Sequence, residues 1–284
     1  MRHRNIGPVI SLLIFLSLTM VSSGSIEAQS LWLQHSHRPS FSVEVLKPKY
    51  GLPAETNLLH MNFYISAYIP IASRFSLSFE LPYTNFSFED FDNNTGSMGN
   101  IYAGIEYDNP QSILAANFGV RIPIASENHD RPLLYGVFTD PDRIEAFTTK
   151  RLNFYGSGIF KGRIDPHVSI RTGIGPMLSV ATGSDSDRDT EFYLRYYSQL
   201  WFEPNRFSMA MGLTGLFLLS EDDLNFGERT FHHLGLTAFY GFDKVKPGII
   251  LLFPLDSDFS DIIDVTYGFS LTIGISDPPG SRFE

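Results

Sequence analysis

Residues 74–86 read RFSLSFELPYTNF, and this stretch decides the fold. Large apolar side chains occupy every second position from Phe75 to Tyr83, and Ser, Glu and Pro stand between them. Because successive side chains of a β-strand point to opposite faces, the stretch predicts a strand with one apolar and one polar face. In a soluble protein the apolar face packs on a core. In a membrane barrel it meets lipid, and the polar face lines a lumen.

The N-terminus indicates export. A short basic start at 1–4 precedes an apolar run of roughly 13 residues at 9–21, and small residues follow it. A membrane-spanning helix needs about 20 apolar residues, which disfavours an uncleaved membrane anchor. We therefore predict a secretory signal peptide at 1–28, cleaved after Ala28, with cleavage near Gly24 as the alternative.

The composition fits an exported membrane barrel. The chain has no cysteine, which excludes disulfide scaffolds, thiol catalysis and cysteine-anchored lipidation. Aromatic residues make up 14% of the chain, yet the mean hydropathy is only −0.03. Strands that alternate lipid-facing and lumen-facing residues keep the average hydropathy moderate, so this balance is typical of a transmembrane barrel.

About twelve segments after the predicted signal have strand character, and most reach the roughly 9–11 residues that a tilted membrane strand needs. They are 41–48, 57–71, 74–86, 98–108, 111–124, 150–161, 165–180, 191–203, 205–219, 229–242, 244–254 and 262–275. Tight turns alternate with longer links at 87–97, 125–149, 181–190, 220–228 and 255–261. We predict an all-β fold: a single transmembrane antiparallel up-and-down β-barrel over 29–275 with about 12 strands, short periplasmic turns and long extracellular loops. Residues 276–284 form a short periplasmic tail in this prediction.

Negative charge concentrates in the longer links. The links around 87–97, 181–191, 220–229 and 255–261 each have a net charge of −3, so together they account for all of the negative net charge of the chain, which is −10. These carboxylates either keep the loops soluble or bind divalent cations that bridge them to lipopolysaccharide, since hard cations prefer carboxylate oxygens. Asp185, Asp187 and Asp189 are the candidate cation contacts. They do not form a helix–loop–helix calcium site, because Thr190 stands where that loop needs Gly.

The last predicted strand points to a bacterial outer membrane. Its pattern Thr266-x-Gly268-x-x-Leu271-x-Ile273 resembles the assembly signal at the end of bacterial outer-membrane barrels. The resemblance implies that the barrel-assembly machinery inserts the chain, with outer-membrane lipid and lipopolysaccharide around it. The apolar face of 74–86 is therefore predicted to meet lipid.

Polar residues at the alternate positions define the predicted lumen. The predicted lumen-lining residues are acids, bases and one amide: Glu80, Glu106, Asn117, Arg121, Arg171, Arg195 and Asp264. Acids and bases either pair and plug the interior or line a hydrated path. Sequence leaves both arrangements open, because it does not give the register between distant strands.

Three stretches resemble a known family. They are MNFYISAYIPIASRFSLSFELPYTNF at 61–86, GSMGNIYAGIEYD at 96–108 and ANFGVRIPIAS at 116–126. Together they resemble the outer-membrane barrels of the meta-pathway phenol-degradation family, and the resemblance implies a transporter for small organic compounds. The family usually has Asp where Asn100 stands. The resemblance implies a channel or transporter and no catalytic residues.

An enzyme is the less favoured interpretation. His167 and Ser169 form a His-x-Ser pair, as in lipid A deacylases, but they lie on the predicted lumen face just after a periplasmic turn. We predict no catalysis, no cofactor and no nucleic-acid partner. The expected function is passage of small solutes, including apolar or aromatic ones. The alternatives are a plugged barrel with a structural or surface-interaction role, an outer-membrane lipid hydrolase and a soluble secreted β protein.

Overall fold

The computed structural model describes residues 39–51, 58–88, 91–109, 111–182, 190–221 and 225–275. The predicted signal peptide, the predicted tail and the candidate cation contacts Asp185, Asp187 and Asp189 lie outside these residues. Among the described residues, no helix has the length and apolar character needed to cross a membrane.

The described chain is dominated by thirteen antiparallel strands. They are β1 Ser40–Tyr50, β2 Leu58–Ala72, β3 Phe75–Phe88, β4 Phe91–Met98, β5 Ile101–Asp108, β6 Leu114–Ile122, β7 Arg151–Asp165, β8 Val168–Ala181, β9 Glu191–Phe202, β10 Phe207–Leu218, β11 Thr230–Tyr240, β12 Val245–Pro254 and β13 Ile263–Gly274. β4 and β5 pair with successive parts of β3, so together they occupy one strand position in the barrel wall. The thirteen strands therefore form a barrel of twelve strand positions. β1 pairs with both β2 and β13, and β2 pairs with β3, so the sheet closes. The predicted barrel of about twelve strands is confirmed.

The opening stretch shows which way the strands face. Phe75, Phe79 and Tyr83 are exposed on the outside of the barrel, at 41%, 39% and 39%. Ser78 and Glu80, between them in sequence, are buried inside. The wall is therefore apolar outside and polar inside, which is the reverse of a soluble β protein and the arrangement that a lipid solvent requires.

The two ends of the barrel differ in their connections. Ser40 at the start of β1 pairs with Gly274 at the end of β13, so both described termini lie at one end. At this end the hairpins turn tightly, for example from Ala72 to Phe75. We call it the short-turn end, and the opposite end the long-loop end. Among the residues that the structure describes, two four-residue helices lie at the long-loop end, α2 Phe226–Arg229 and α3 Ser257–Ser260.

Two predicted links differ from the structure. The 87–97 link was predicted as a loop, but β3 runs to Phe88 and β4 occupies Phe91–Met98. Backbone pairing does not depend on side-chain polarity, so a hairpin can extend beyond the apolar band. The 125–149 link was predicted to be extracellular, but it folds into the barrel. It contains a 3₁₀ helix at Glu127–His129, helix α1 at Asp130–Thr139 and a second 3₁₀ helix at Pro141–Ala146.

We call residues 125–149 the inserted segment. Its apolar side chains Leu133 and Phe147 are buried, at 3% and 1% exposure, in one cluster with the wall residues Leu46 and Tyr64. Burial of such side chains is worth roughly 1.5–3 kcal/mol each, which favours insertion over an exposed loop. The segment occupies the long-loop half of the lumen.

Candidate functional site: the barrel interior

Arg143 lies at the centre of a buried charge network. This arginine belongs to the second 3₁₀ helix, and its side chain is 4% exposed. Nη1 donates to Glu80 Oε2 at 3.0 Å, Nε donates to Asp140 Oδ2 at 2.5 Å, and Nη2 donates to Glu44. The guanidinium also lies 3.4 Å from the ring centroid of Tyr64. The inserted segment is thus joined to strands β1, β2 and β3 through one side chain.

Glu80 joins this arginine to a second one. Its Oε1 accepts a hydrogen bond from Arg121 Nη2 at 2.9 Å, while Oε2 accepts from Arg143. Arg121 Nε in turn lies 3.6 Å from Glu145 Oε1 of the inserted segment. Each arginine therefore faces two or more carboxylates, which offsets the desolvation that burial of a charge costs.

Asn100 anchors both ends of the inserted segment. It sits at the break between β4 and β5 and is fully buried. Its Nδ2 donates to the carbonyls of Glu145 and Thr148, at 2.9 and 2.5 Å. Its Oδ1 accepts from the amides of Ile124 and Ala125, at 2.9 and 3.0 Å. The break in the strand thus places one amide side chain where it holds the chain entering and leaving the lumen.

Helix α1 is held against the wall by uncharged hydrogen bonds. Asn62 Nδ2 donates to the Gly136 carbonyl at 2.9 Å, and Thr84 Oγ1 donates to the Pro132 carbonyl at 3.2 Å. On β13, Thr266 Oγ1 donates to the Thr139 carbonyl at 3.1 Å. Gly136 and Thr139 belong to the last turn of α1, where carbonyls have no partner within the helix, so two of these contacts satisfy them.

The opposite wall contacts the inserted segment at fewer points. Arg195 Nη2 on β9 donates to the Asp142 carbonyl at 2.6 Å. On β11, His233 Nε2 lies 2.9 Å from Asp142 Oδ2. The inserted segment therefore reaches across the lumen from β1–β3 to β9 and β11. Burial raises the pKa of the Asp140 carboxyl, and the charge of Arg143 opposes that rise.

A small cavity remains between the inserted segment and the wall. It has a volume of about 50 Å³, enough for a few water molecules. Pro141 and Asp142 bound it on one side, and residues of β6 to β11 bound it on the other. The rings of Tyr155, Tyr197 and Phe231 and the polar side chain of Asn117 lie along it.

A wider space lies at the mouth of the barrel at the short-turn end, between two neighbouring turns. This cavity of about 490 Å³ is bounded by the β9–β10 and β11–β12 turns and by Ser208 and Lys246. Deeper in, the Arg171 guanidinium lies 4.3 Å from the Trp201 ring centroid and 3.4 Å from Glu203 Oε2. Opposite charges thus meet at this mouth.

The structure places six of the seven predicted lumen residues inside the barrel. Glu80 and Arg121 belong to the charge network, and Arg195 contacts the inserted segment. Glu106 and Arg171 are buried in the short-turn half, and Asn117 Oδ1 accepts from Ser157 Oγ at 2.8 Å. A role of these six residues in the passage of solutes stays a prediction.

Asp264 was predicted to line the lumen, but it lies outside it. Its side chain is 45% exposed and pairs with Lys49 at 2.8 Å. β13 is bulged here: Lys49 pairs with Val265 and Tyr50 with Ile263, which leaves Asp264 as the extra residue. A bulge shifts the inside–outside alternation by one residue, and no local pattern in the sequence marks it.

Sequence reasoning missed the residues of the inserted segment that complete the network. They are Asp140, Asp142, Arg143 and Glu145. The available signal was the run of apolar residues at 133–138, which is unusual for an exposed loop.

His232 and His233 face opposite sides of the wall, as expected for adjacent residues of a strand. His233 contacts Asp142 inside the barrel, and His232 Nε2 lies 2.5 Å from Tyr196 Oη outside. Among the described residues, no group of three His, Cys, Asp or Glu is arranged to hold a metal ion.

Comparison of the fold with solved structures gives clear likenesses. The COG4313 outer membrane channel from Pseudomonas putida F1 superposes with a TM-score of 0.58 at 12% identity, over 88% of this chain and 100% of that one. The fold is that of a bacterial outer-membrane β-barrel. The KdgM porin (10% identity, 83% of this chain, 99% of that one) and LpxR from Salmonella typhimurium (12% identity, 83% and 100%) each give a TM-score of 0.50. No family model and no curated protein sequence matches the chain.

In an outer-membrane barrel the short turns lie in the periplasm and the long loops outside the cell. The short-turn end of this outer-membrane barrel, with both described termini, is therefore its periplasmic end. The inserted segment enters from the extracellular end, and the cavity of about 490 Å³ opens to the periplasm.

Proposed function

We propose that this outer-membrane barrel is a channel for small solutes, constricted by its inserted segment. The observation that carries the proposal is a polar interior with open space beside the constriction and at the periplasmic rim. About 490 Å³ lies at the periplasmic mouth and about 50 Å³ beside Pro141 and Asp142. A barrel of twelve strands has a lumen wider than its wall side chains fill, but narrower than that of a sixteen-stranded porin. Passage therefore suits small molecules.

The chemistry of the lumen favours solutes that are apolar or aromatic with a polar group. Tyr155, Tyr197 and Phe231 line the cavity beside the inserted segment. Asn117 and Arg195 supply a hydrogen-bond acceptor and a cation at the same place. Aromatic walls with few polar groups are typical of sites for small organic molecules.

The family resemblance supports the same proposal. The three stretches that resemble the meta-pathway phenol-degradation family fall in β2 to β6, the part of the wall that holds Glu80, Asn100 and Arg121. These residues position the inserted segment. Membership in that family, and transport of small organic compounds, are proposed on this basis.

A plugged barrel with a structural or surface role is the second candidate. The observation in its favour is the charge network, in which the single side chain of Arg143 contacts three carboxylates, those of Glu44, Glu80 and Asp140. A buried cluster of this kind resists displacement, because removal of one partner leaves uncompensated charge. No catalytic step is proposed: His167 is exposed in a turn, and Ser169 Oγ donates to Glu203.

Single-channel recording of the refolded protein in a planar bilayer separates the two candidates. Discrete current steps are expected for the channel, and the reversal potential in a salt gradient gives its ion selectivity. A barrel that shows the heat-dependent gel shift of a folded outer-membrane protein, but no current and no solute uptake, would overturn the channel and leave the plugged barrel.

Export and surface contacts complete the proposal. We propose removal of residues 1–28 on export and insertion by the barrel-assembly machinery through β13, which holds Thr266 and Gly268. Mass spectrometry of the mature chain would test the cleavage after Ala28.

We also propose that exposed extracellular carboxylates, including Asp258 and Asp261 in and after α3, bind lipopolysaccharide through divalent cations. Chelation should then release lipopolysaccharide from the purified protein.

A further inference from the structure

The seam between β7 and β8 is interrupted near its middle. Paired residues run from the extracellular end to Tyr155–Met177 and resume, in the same register, at Gly158–Ile174. The positions left out of the ladder are Gly156 and Ser157 on β7 and Gly175 and Pro176 on β8. On their other edges, these same positions pair with β6 and β9. We call these four residues the β7–β8 gap.

The residues of the gap explain the interruption. Pro176 has no backbone N–H to donate. A Cβ atom on Gly175 would overlap the Gly156 carbonyl oxygen, so only glycine fits there. Because unpaired backbone groups are costly against lipid, irregular backbone at membrane depth is tolerated where it borders a cavity.

A cavity does border the gap. The space of about 50 Å³ beside the inserted segment is lined by lumen-facing Asn117 and Tyr155, and also by Ile174 and Pro176, whose side chains point outward. Ile174 is 56% exposed on the lipid-facing surface. One continuous space therefore has residues of both faces of the wall along it.

The wall outside the gap offers little cover. A Cβ atom on Gly156 or on Gly158, both outward-facing, would have no atom within 4 Å. The outward residues opposite them in register include Phe118 on β6 and Ile174 on β8, and both are more than half exposed. An apolar molecule dissolved in the membrane would therefore contact an apolar surface around glycines that no side chain covers.

We propose that the β7–β8 gap is a lateral gate, which parts to let a small apolar solute move between the membrane and the lumen beside the inserted segment. The inference rests on the proposed channel function and adds a second route to it. The gate is closed in this structure, since about 50 Å³ admits only a few waters. Parting the strands breaks few hydrogen bonds here, and Asn117 and Arg195 lie inside to meet the solute's polar group.

A disulfide across the gap tests the gate. Gly156 and Pro176 are opposite each other in register and both face outward, so Gly156→Cys with Pro176→Cys forms a cross-strand pair suited to a disulfide. The chain has no cysteine, so this bridge is the only one that can form. Thr172→Cys with Ser198→Cys is the matched control: these outward residues are paired on the intact β8–β9 seam, with Oγ atoms 3.1 Å apart.

Two readouts separate the routes. Uptake of N-phenyl-1-naphthylamine across the outer membrane of expressing cells reports the lateral route, and single-channel current in planar bilayers reports the axial one. With the gap bridged, uptake should fall to the level of cells without the protein and recover on reduction, while the current stays unchanged. The control bridge should change neither.

Equal uptake by the bridged and reduced forms would overturn the gate, as would a wild-type chain that conducts ions without accelerating uptake. Absence of both current and uptake in the wild type would instead overturn the proposed channel. If the bridged variant does not fold, Gly156→Phe should cover the gap and lower uptake, whereas Gly158→Phe, outside the cavity lining, should leave it unchanged.

Discussion

Glu80 on β3 accepts a hydrogen bond from Arg143 of the inserted segment at 3.0 Å, and its other oxygen accepts from Arg121 of the wall at 2.9 Å. One carboxylate thus joins a chain segment that enters the lumen to a strand that encloses it. All three side chains are buried, so these ion pairs help to fix the position of the constriction.

Arg143→Met should loosen the inserted segment. Removal of the guanidinium leaves Glu44, Glu80 and Asp140 as neighbouring buried carboxylates, a change that costs about 3–5 kcal/mol of stability in comparable buried pairs. We expect larger and more variable single-channel currents than in the wild type, together with a lower unfolding temperature. The matched control is Lys150→Met, because Lys150 pairs with Glu127 at an exposed site. Currents equal to wild type in Arg143→Met would contradict this role of the network.

Asn100→Asp should weaken the anchoring of the inserted segment without abolishing it. The aspartate keeps the oxygen that accepts from Ile124 and Ala125, but loses the donor to Glu145 and Thr148. Asn100→Ala loses all four hydrogen bonds, at about 1 kcal/mol each. Hydrogen exchange at 124–149 should therefore rise in the order wild type, Asp, Ala. Asn109→Ala, in a periplasmic turn, serves as the control, and an unchanged exchange rate in Asn100→Ala would refute the anchor.

Gly119→Ala should destabilise the barrel through Tyr102. The Tyr102 ring, 3% exposed, fills the space above Gly119 and above Gly104 on the neighbouring strand, so a Cβ atom on either would overlap it. Overpacking of this kind costs about 1–3 kcal/mol. Gly158→Ala is the control, since its Cβ atom would meet nothing within 4 Å. The measurement is the urea midpoint of unfolding in detergent; equal midpoints for the two variants would show that the ring moves aside freely.

Glu203→Gln should shift the ion selectivity toward anions. Glu203 lines the cavity at the periplasmic mouth and lies 3.4 Å from Arg171, so its loss leaves that arginine's charge unbalanced there. Charged side chains that ring a pore set its ion preference. The reversal potential in a salt gradient measures the change. Glu221→Gln, on an exposed extracellular loop, should leave the potential where it is; a shift of equal size in both variants would assign selectivity to the loops instead.

The sequence by itself determined the barrel. Alternation in 74–86 is a local property with a period of two residues, and it fixes which face of β3 meets lipid, because Phe75 and Glu80 cannot exchange environments without loss. The alternation of tight turns and longer links likewise fixed the up-and-down order of the strands and the end at which both termini lie. Glu80 and Arg121 could be placed inside by the same local rule.

Only the tertiary structure decided what fills the lumen. The inserted segment is held by contacts between residues far apart in the chain, such as Asn62 with Gly136 and Thr266 with Thr139, and no local pattern specifies such pairs. Asp264 fell outside the lumen because a bulge, which depends on the pairing of β13 with β1, shifted the alternation. The gap between β7 and β8 also arises from two strands meeting. The local chemistry of each strand fixed its faces, and the contacts between distant segments fixed the path through the barrel.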